Sequence, residues 1–169
     1  MAKGNRIIVS SEPKGRYEEI IVSGTPKPGT CMYPKNVALA QGGKMTMEPA
    51  GTTAALGMGA DGDQIPVAVL LCFLDHMAAP PGKTATDAYV DADRGVVYYP
   101  LPGEELNVLF LNAAGTADDV TIGMKLMIDD GTGQVIPTTG TPESEPFVAM
   151  EAFTDPAADK LLHMKFSGY

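Results

Sequence analysis

Hydrophobic and polar positions along this chain alternate in short runs, and most runs are closed by glycine or proline. The clearest run covers 120–128. Val120, Ile122, Met124, Leu126 and Ile128 keep period two, while Thr121, Gly123 and Lys125 sit opposite. This pattern predicts a strand with one face in a core. Asp129-Asp130-Gly131-Thr132-Gly133 supplies a tight turn in which Asp-Gly adopts positive φ, and Gln134-Val135-Ile136 returns. A polar linker over 137–146 follows. The C-terminal part pairs 147–153 with 161–166 across a connection at 154–159. In the last strand Leu162, Met164 and Phe166 face one way, and His163 and Lys165 the other.

The stretch 96–111 is the centre of the pattern. Two runs of β-branched, aromatic and aliphatic residues flank Pro100-Leu101-Pro102-Gly103-Glu104-Glu105, whose prolines and glycine turn the chain and cannot sit inside a ladder. That is a strand, a corner and a strand, and the rest of the domain is expected to be built around this pair. Shorter strands are predicted at 17–23 and 84–90. The run Ile65 to Leu74, IPVAVLLCFL, is apolar on both alternating faces. One face is expected in the core, and the other under a second sheet, a loop or a second subunit. Leu70, Cys72 and Leu74 are therefore subunit-interface candidates.

Residues 34–62 read as a long excursion with short extended pieces, holding six glycines and no strong period. Met45, Met47 and Met58 there are either an adaptable apolar contact patch, and so further interface candidates, or plugs at the edge of the core. Residues 1–15 are polar and basic apart from Ile7-Ile8-Val9. This N-terminal segment is an edge strand of its own domain or an arm that adds to a neighbour's sheet. The expected fold is mainly β: a single compact β-barrel or sandwich-like domain over 16–169, with the arm at 1–15 and the Gly/Met-rich loop at 34–62. The sequence shows no internal repeat and no heptads.

Composition sharpens this. A chain of 169 residues is one domain by the usual size rule and buries roughly 70% of its unfolded surface, enough for a core without staples. Nineteen glycines and 14 prolines favour turns over long helices. The formal net charge of -9 repels phosphate backbones, and no Lys/Arg cluster offsets it, so nucleic acid is not an expected partner. No run approaches a membrane span. Three apolar residues near the N-terminus are too few for a signal-peptide core, which points to a protein made in cytosol. Cys31 and Cys72 suit neither a metal knuckle nor a disulfide framework, and read as small buried hydrophobes.

Candidate chemistry is sparse. Pro81-Gly82-Lys83-Thr84 resembles the end of a phosphate-binding loop, but Met77 stands where the first glycine belongs, and Pro80 and Pro81 remove two amides. Lys125 in Gly123-Met124-Lys125-Leu126 reads as an outward strand lysine rather than a biotin-type lysine. The acidic pairs Asp61/Asp63, Asp91/Asp93, Asp118/Asp119 and Asp129/Asp130 lack the spaced ligands of a calcium loop and read as turns with solvated carboxylates. His76 and His163, the only histidines, flank no nucleophile motif, so a hydrolase is disfavoured.

Several stretches carry a family likeness: Asn5-Arg6-Ile7-Ile8-Val9, Ser23-Gly24-Thr25-Pro26-Lys27-Pro28-Gly29-Thr30, Gly82-Lys83-Thr84-Ala85-Thr86-Asp87-Ala88-Tyr89 and Tyr99-Pro100-Leu101-Pro102-Gly103-Glu104-Glu105-Leu106-Asn107. Met150-Glu151-Ala152 before the closing strand completes them. In their order, over nearly the whole length, the chain resembles the decoration or cement proteins of tailed-bacteriophage heads. The likeness rests on turn motifs rather than on an active-site signature. It implies a structural virion protein without catalysis and without a cofactor, added to the outer surface of the expanded head after synthesis in the host cytoplasm. Its partners would be the major capsid protein, reached through an arm comprising Asn5, Arg6, Ile7, Ile8 and Val9, and itself, as a homotrimer or alternatively a dimer. The rival reading is a non-catalytic β-domain that binds a small molecule or carbohydrate.

Overall fold

The computed structural model describes residues 14–35, 43–49, 72–75, 87–111, 119–129, 132–137, 147–152, 154 and 160–167. Every regular element among them is a strand: β1 Arg16–Val22, β2 Cys31–Pro34, β3 Met45–Pro49, β4 Cys72–Asp75, β5 Arg94–Tyr99, β6 Glu105–Phe110, β7 Lys125–Ile128, β8 Val135–Pro137, β9 Phe147–Ala149 and β10 Lys160–Phe166. The mainly β expectation holds, and the strands form two curled sheets. The first has the hydrogen-bonded order β1-β3-β2-β4-β5 and closes on itself, and the second closes in the order β10-β6-β8-β7-β9.

The chain from β5 to β6 is the strand, corner and strand of 96–111, but the two strands do not pair with each other. β5 pairs with β1 and β4, and β6 with β10 and β8. The proline-rich corner carries the chain from one barrel to the next. The 34–62 excursion contributes β3, which sits between β1 and β2 in the first ring.

The two barrels share one topology, which the sequence reading does not anticipate. In each, the first strand runs parallel to the third and every other pairing is antiparallel. The registers also agree. In the first barrel Val22 pairs with Met47, Pro34 with Met47, Met32 with Cys72, Leu74 with Val97 and Val97 with Glu18. In the second, Phe110 pairs with Val135, Ile128 with Val135, Leu126 with Phe147, Ala149 with Met164 and Met164 with Leu106. Glu18 precedes Val22 by the same number of residues as Leu106 precedes Phe110. Strand number and stagger, which together set a barrel's radius and tilt, are therefore the same in both.

The equivalence extends to burial and to hydrogen bonds beyond the strands. Ile20 corresponds to Val108, Val22 to Phe110, Met32 to Leu126, Met47 to Val135 and Val97 to Met164, and all ten are in the cores. The Ser23 amide donates to the Met47 carbonyl at 2.7 Å, and Leu111 to Val135 at 3.0 Å. The Lys35 amide donates to Thr46 at 2.9 Å, and Asp129 to Gln134 at 2.7 Å. None of these five buried pairs is chemically identical, because a barrel interior demands apolar volume rather than a particular side chain. This is why the repeat is hard to read from the sequence.

Alternation builds both cores. On β1, Ile20 and Val22 point inward with Met32, Met47, Tyr89 and Val97. On β6 and β10, Leu106, Val108 and Phe110 meet Leu162, Met164 and Phe166. Each such side chain contributes about 1.5–3 kcal/mol through burial. Phe147 and Phe166 pack with ring centroids 5.8 Å apart. Three local expectations are corrected. The strand expected over 120–128 is regular only over Lys125–Ile128, because Thr121 to Met124 form a tight turn around Gly123 at φ 86°. Ile122 consequently leaves the inward face and is 70% exposed. The described part of the strand expected at 84–90 is not extended into any sheet, yet Tyr89 is buried in the first core, its amide donating to Pro26 at 2.8 Å. His163 is on the outer face, as alternation requires, but is buried.

It is buried on a face of the second barrel that also carries the joint between the barrels. The loop between β1 and β2 lies against β6, with Pro26, Pro28, Gly29 and Thr30 all buried. The Leu109 amide donates to the Gly29 carbonyl at 3.0 Å, and Cys31 to Gly133 at 2.8 Å. Cys31 and Tyr98 face away from the first core and join the apolar cluster of the second. Gly29 has φ 87°, and a Cβ there would lie 2.8 Å from Leu161 Cδ2 and 3.0 Å from the Leu109 nitrogen.

Gly123 has nearly the same φ but open space around it. Both positions carry the left-handed penalty of roughly 1–2 kcal/mol for a non-glycine residue, and only Gly29 adds the clash. Gly29→Ala is expected to lower stability by roughly 2–4 kcal/mol, and Gly123→Ala by no more than about 1–2 kcal/mol. Urea unfolding of the two variants side by side measures the difference.

Candidate functional site

The densest polar cluster among the described residues is at the corner that joins the barrels. Pro100 and Pro102 keep this stretch out of any ladder, and Gly103, at φ 96°, lets it turn. The turn places Glu104 under the end of β5. The Tyr98 hydroxyl donates to Glu104 Oε1 at 2.7 Å, and the Leu101 amide to Oε2 at 2.7 Å. The Lys14 amide donates to Oε1 at 2.5 Å, and the Gly15 amide to the Tyr98 hydroxyl at 2.8 Å. The Glu104 backbone is engaged as well: its carbonyl accepts from Phe166 at 2.8 Å, while the Gly103 amide donates to the Phe166 carbonyl at 2.7 Å. Glu104 thus ties together, through its carboxylate, the end of the N-terminal segment and the last strand of the first barrel and, through its backbone, the closing strand of the second.

Electrostatics follow from this geometry. Burial pushes the Glu104 carboxyl upward, but the donated hydrogen bonds from Lys14, Leu101, Tyr98 and Gly15 outweigh it, and its pKa lies below the ordinary carboxyl value. Tyr98 is raised, first by burial and then by its hydrogen bond to the carboxylate. The cluster is built to hold one fixed charge state rather than to exchange protons near neutrality.

A second cluster is on the outer face of β6 and β10. His163 Nε2 stands 2.9 Å from Glu105 Oε2, and the His163 amide donates to Glu151 Oε1 at 2.9 Å. Asn107, opposite His163 in register, is also buried. Asn107 and His163 are on the same outer face as Leu109, whose amide donates to the β1–β2 loop at Gly29. Among the described residues, no group of three or more His, Cys, Asp or Glu side chains stands close enough to hold a metal ion, and no helix is long and apolar enough to cross a membrane. Asp91 and Asp93 spend carboxylate oxygens on the Gly24 and Val90 amides at 2.8 Å each. Asp129 accepts from the Thr132 hydroxyl at 2.8 Å, so these acidic residues shape turns.

The sequence-derived candidates are distributed as follows. Met47 is fully buried in the first core, and Met45 packs against that core. In register, Cys72 is opposite Met32, and Leu74 opposite Val97. Asn5, Arg6, Ile7, Ile8, Val9, Met58, Leu70 and His76 lie outside the described residues. The sequence reading missed Tyr98 and Glu104 as a pair. The signal was present, since an acidic residue behind Pro-x-Pro-Gly is placed to accept turn amides. Among the described residues the exposed large hydrophobics are Tyr17, Val90, Leu101, Ile122 and Met150.

Glu104 has a lowered folded pKa, so its contribution is present at neutral pH and is lost as pH falls below the ordinary value of 4.5. Tyr98 has a raised one, so its contribution is present below its ordinary value of 10.0 and is lost as pH rises above it. Glu104→Gln is expected to lower stability at pH 7 by about 1–3 kcal/mol and to flatten the acid side of the stability curve. Urea unfolding of wild type and variant at pH 7 and pH 3 checks both parts.

A scan against protein-family models finds no match for the chain, and a search of curated proteins finds none either.

Proposed function

We propose that the protein is a structural component of a tailed-phage virion, binding the outer surface of the expanded head and cementing neighbouring major capsid subunits against the pressure of packaged DNA. The observation that carries this reading is where the chain places its buried polar groups. Thr30, Glu104, Asn107 and His163 are the buried polar side chains among the described residues: Thr30 is in the seam loop, Glu104 at the corner, and Asn107 and His163 on the outer face of β6 and β10 against which that loop lies. A protein that transmits load between neighbours needs such a fixed internal distance, whereas a ligand site gathers its polar groups in a cleft.

Two further features support the reading. The stretches that resemble the cement proteins include the two pieces that build the joint: the seam loop 23–30 and the corner within 99–107. The net charge of -9 suits an exterior protein that must avoid DNA. On this reading the arm around Asn5, Arg6, Ile7, Ile8 and Val9 adds a strand to a coat subunit, since main-chain pairing gives affinity without a side-chain code, and the chain associates with itself as a trimer or a dimer. Repetition over a shell multiplies weak contacts through avidity.

Quantitative mass spectrometry of purified particles from the source of this sequence is expected to give a copy number equal to that of the major coat protein or a simple fraction of it. Absence from particles, with the chain expressed in the same cells, would refute the proposal. Deleting residues 1–11 is expected to abolish attachment in a particle-binding assay while leaving the thermal unfolding transition in place. Undiminished attachment would remove the arm from the mechanism.

A further inference from the structure

The chain enters its two barrels in different ways. Gly15 precedes Val22 by the same number of residues as Gly103 precedes Phe110, so the two glycines hold corresponding places ahead of β1 and β6. The Gly103 amide donates to the Phe166 carbonyl at 2.7 Å, a backbone partner on the closing strand of its barrel. Gly15 abuts the closing strand of the first barrel just as closely, since a Cβ there would clash with the Tyr99 carbonyl oxygen. Its amide nevertheless turns to the Tyr98 hydroxyl, and the Lys14 amide to Glu104 Oε1. The entry to β1 is thus held by two side chains, and the entry to β6 by backbone.

The difference has a chemical consequence, because one of those side chains is a carboxylate. Ionised, Glu104 accepts on both oxygens: Oε1 takes Lys14 and Tyr98, and Oε2 takes Leu101. A proton on either oxygen turns it into a donor and leaves one oxygen for bonds that now occupy both. Leu101 is kept in place by its own turn, in which the Glu104 amide donates to the Leu101 carbonyl at 3.1 Å. Lys14 is 90 positions away in the chain and has no such local tie to the corner, so its bond is the one given up. The bonds from Gly103 to Phe166 and from Phe166 to Glu104 run between backbone groups and do not depend on the charge of the carboxyl group.

We infer that Glu104 and Tyr98 form a proton-operated latch on the root of the N-terminal segment: the carboxylate holds Lys14 and Gly15 against the corner, and its protonation releases them while both barrels and their backbone joint stay closed. The latch sets where the chain ahead of Lys14 leaves the molecule. The other ionisable groups nearby are engaged elsewhere or exposed. The Tyr17 ring packs on Tyr98 with centroids 4.9 Å apart. Arg16 pairs with Glu18 at 2.9 Å and lies over the Tyr99 ring. Glu105 Oε2 is 2.9 Å from His163 Nε2, and Lys165, opposite Glu105 in register, is exposed, as is Lys14. The donated hydrogen bonds hold the Glu104 carboxyl below its ordinary value of 4.5, so the latch stays shut at neutral pH and opens as pH falls through a midpoint below that value. Tyr98 is raised and remains a donor throughout. The inference rests on the corner and not on the virion reading, and its test uses the purified chain alone.

Amide hydrogen exchange followed residue by residue by NMR, expressed as protection factors between pH 7 and pH 2, reads the latch directly. Lys14 and Gly15 are expected to be protected at pH 7 and to lose at least about tenfold of that protection together as pH falls. The Val22, Leu109 and Phe166 amides, which donate to backbone carbonyls, should stay protected over the same range. Glu104→Gln should show the released state already at pH 7, with those three amides unaffected. Tyr98→Phe removes the acceptor of Gly15 and one donor to Glu104. In that variant Gly15 should exchange freely at pH 7, while Lys14 stays protected and its acid midpoint moves up toward 4.5. Should Glu104→Gln fail to fold, the wild-type titration and Tyr98→Phe decide. Lys14 and Gly15 amides that exchange freely at pH 7, that stay protected across the range or in Glu104→Gln, or that are lost only together with Val22, Leu109 and Phe166 would each overturn the inference. So would a Lys14 midpoint that Tyr98→Phe does not move.

Discussion

The carboxylate of Glu104 is the constraint on which the arrangement of the chain depends. Two closed barrels have no free sheet edges with which to join one another, so the joint must be made by side chains and loops. A short proline-rich corner sets their separation, but prolines alone leave the hinge free to rotate. Glu104 removes that freedom by accepting from Lys14, Leu101 and Tyr98 at once, while its own backbone exchanges hydrogen bonds with β10. A buried charge costs free energy unless it is fully partnered. Any rotation about the corner that broke one of these bonds would leave part of that cost uncompensated, and the joint is stiff for this reason.

The seam adds an apolar contribution to this polar one. Glycine at position 29 permits a backbone approach that no other residue could make, and the Leu109 amide completes the contact. Proline at 28 presets the turn without offering an amide that would need a partner under the covering strand. The chemistry of the β1–β2 loop is thus explained by the barrel it lies on rather than by the barrel it belongs to. The corresponding turn in the second barrel, free of that demand, keeps the glycine required by its φ and carries isoleucine where the first has proline.

Much of the local structure was legible in the sequence, because period two and turn residues report directly on strands and on where they stop. β1 and β10 fall where alternation places them, β7 fills the second half of the run that alternation marks, and β7 and β8 on either side of 129–133 pair antiparallel, with Asp130 and Gly131 themselves outside the described residues. Alternation misled at Ile122, since a tight turn entered at Thr121 keeps the polar–apolar order without the strand geometry. It could not distinguish a pair of strands in one sheet from a pair spanning two barrels, because 96–111 reads identically in both cases. The equivalence of the halves was hidden for a physical reason. It resides in register and in the volume of buried side chains, and Val97 against Met164 or Met32 against Leu126 satisfies the same interior with different atoms. The joint was only half legible: its prolines and glycines stood out as punctuation, and the partner of the Glu104 carboxylate is set by the fold.

A protein made of two like barrels faces a question of specificity that one barrel does not. Each barrel offers a turn and a face, and without further distinction the first turn of one molecule could dock on the second face of another, exchanging the internal joint for an external one. The corner prevents this by proximity. Pro100 to Glu104 holds the correct face beside the correct turn at an effective concentration that an outside molecule does not approach, and the hydrogen bonds to Glu104 form only in that arrangement. The side chains reinforce the choice. The internal turn is flanked by Cys31 and Tyr98, which fit an apolar cluster, while the outer one is flanked by Lys125 and Lys165, which burial in that cluster would penalise heavily. Covalent connection and charge together therefore assign the joint to one pair of surfaces.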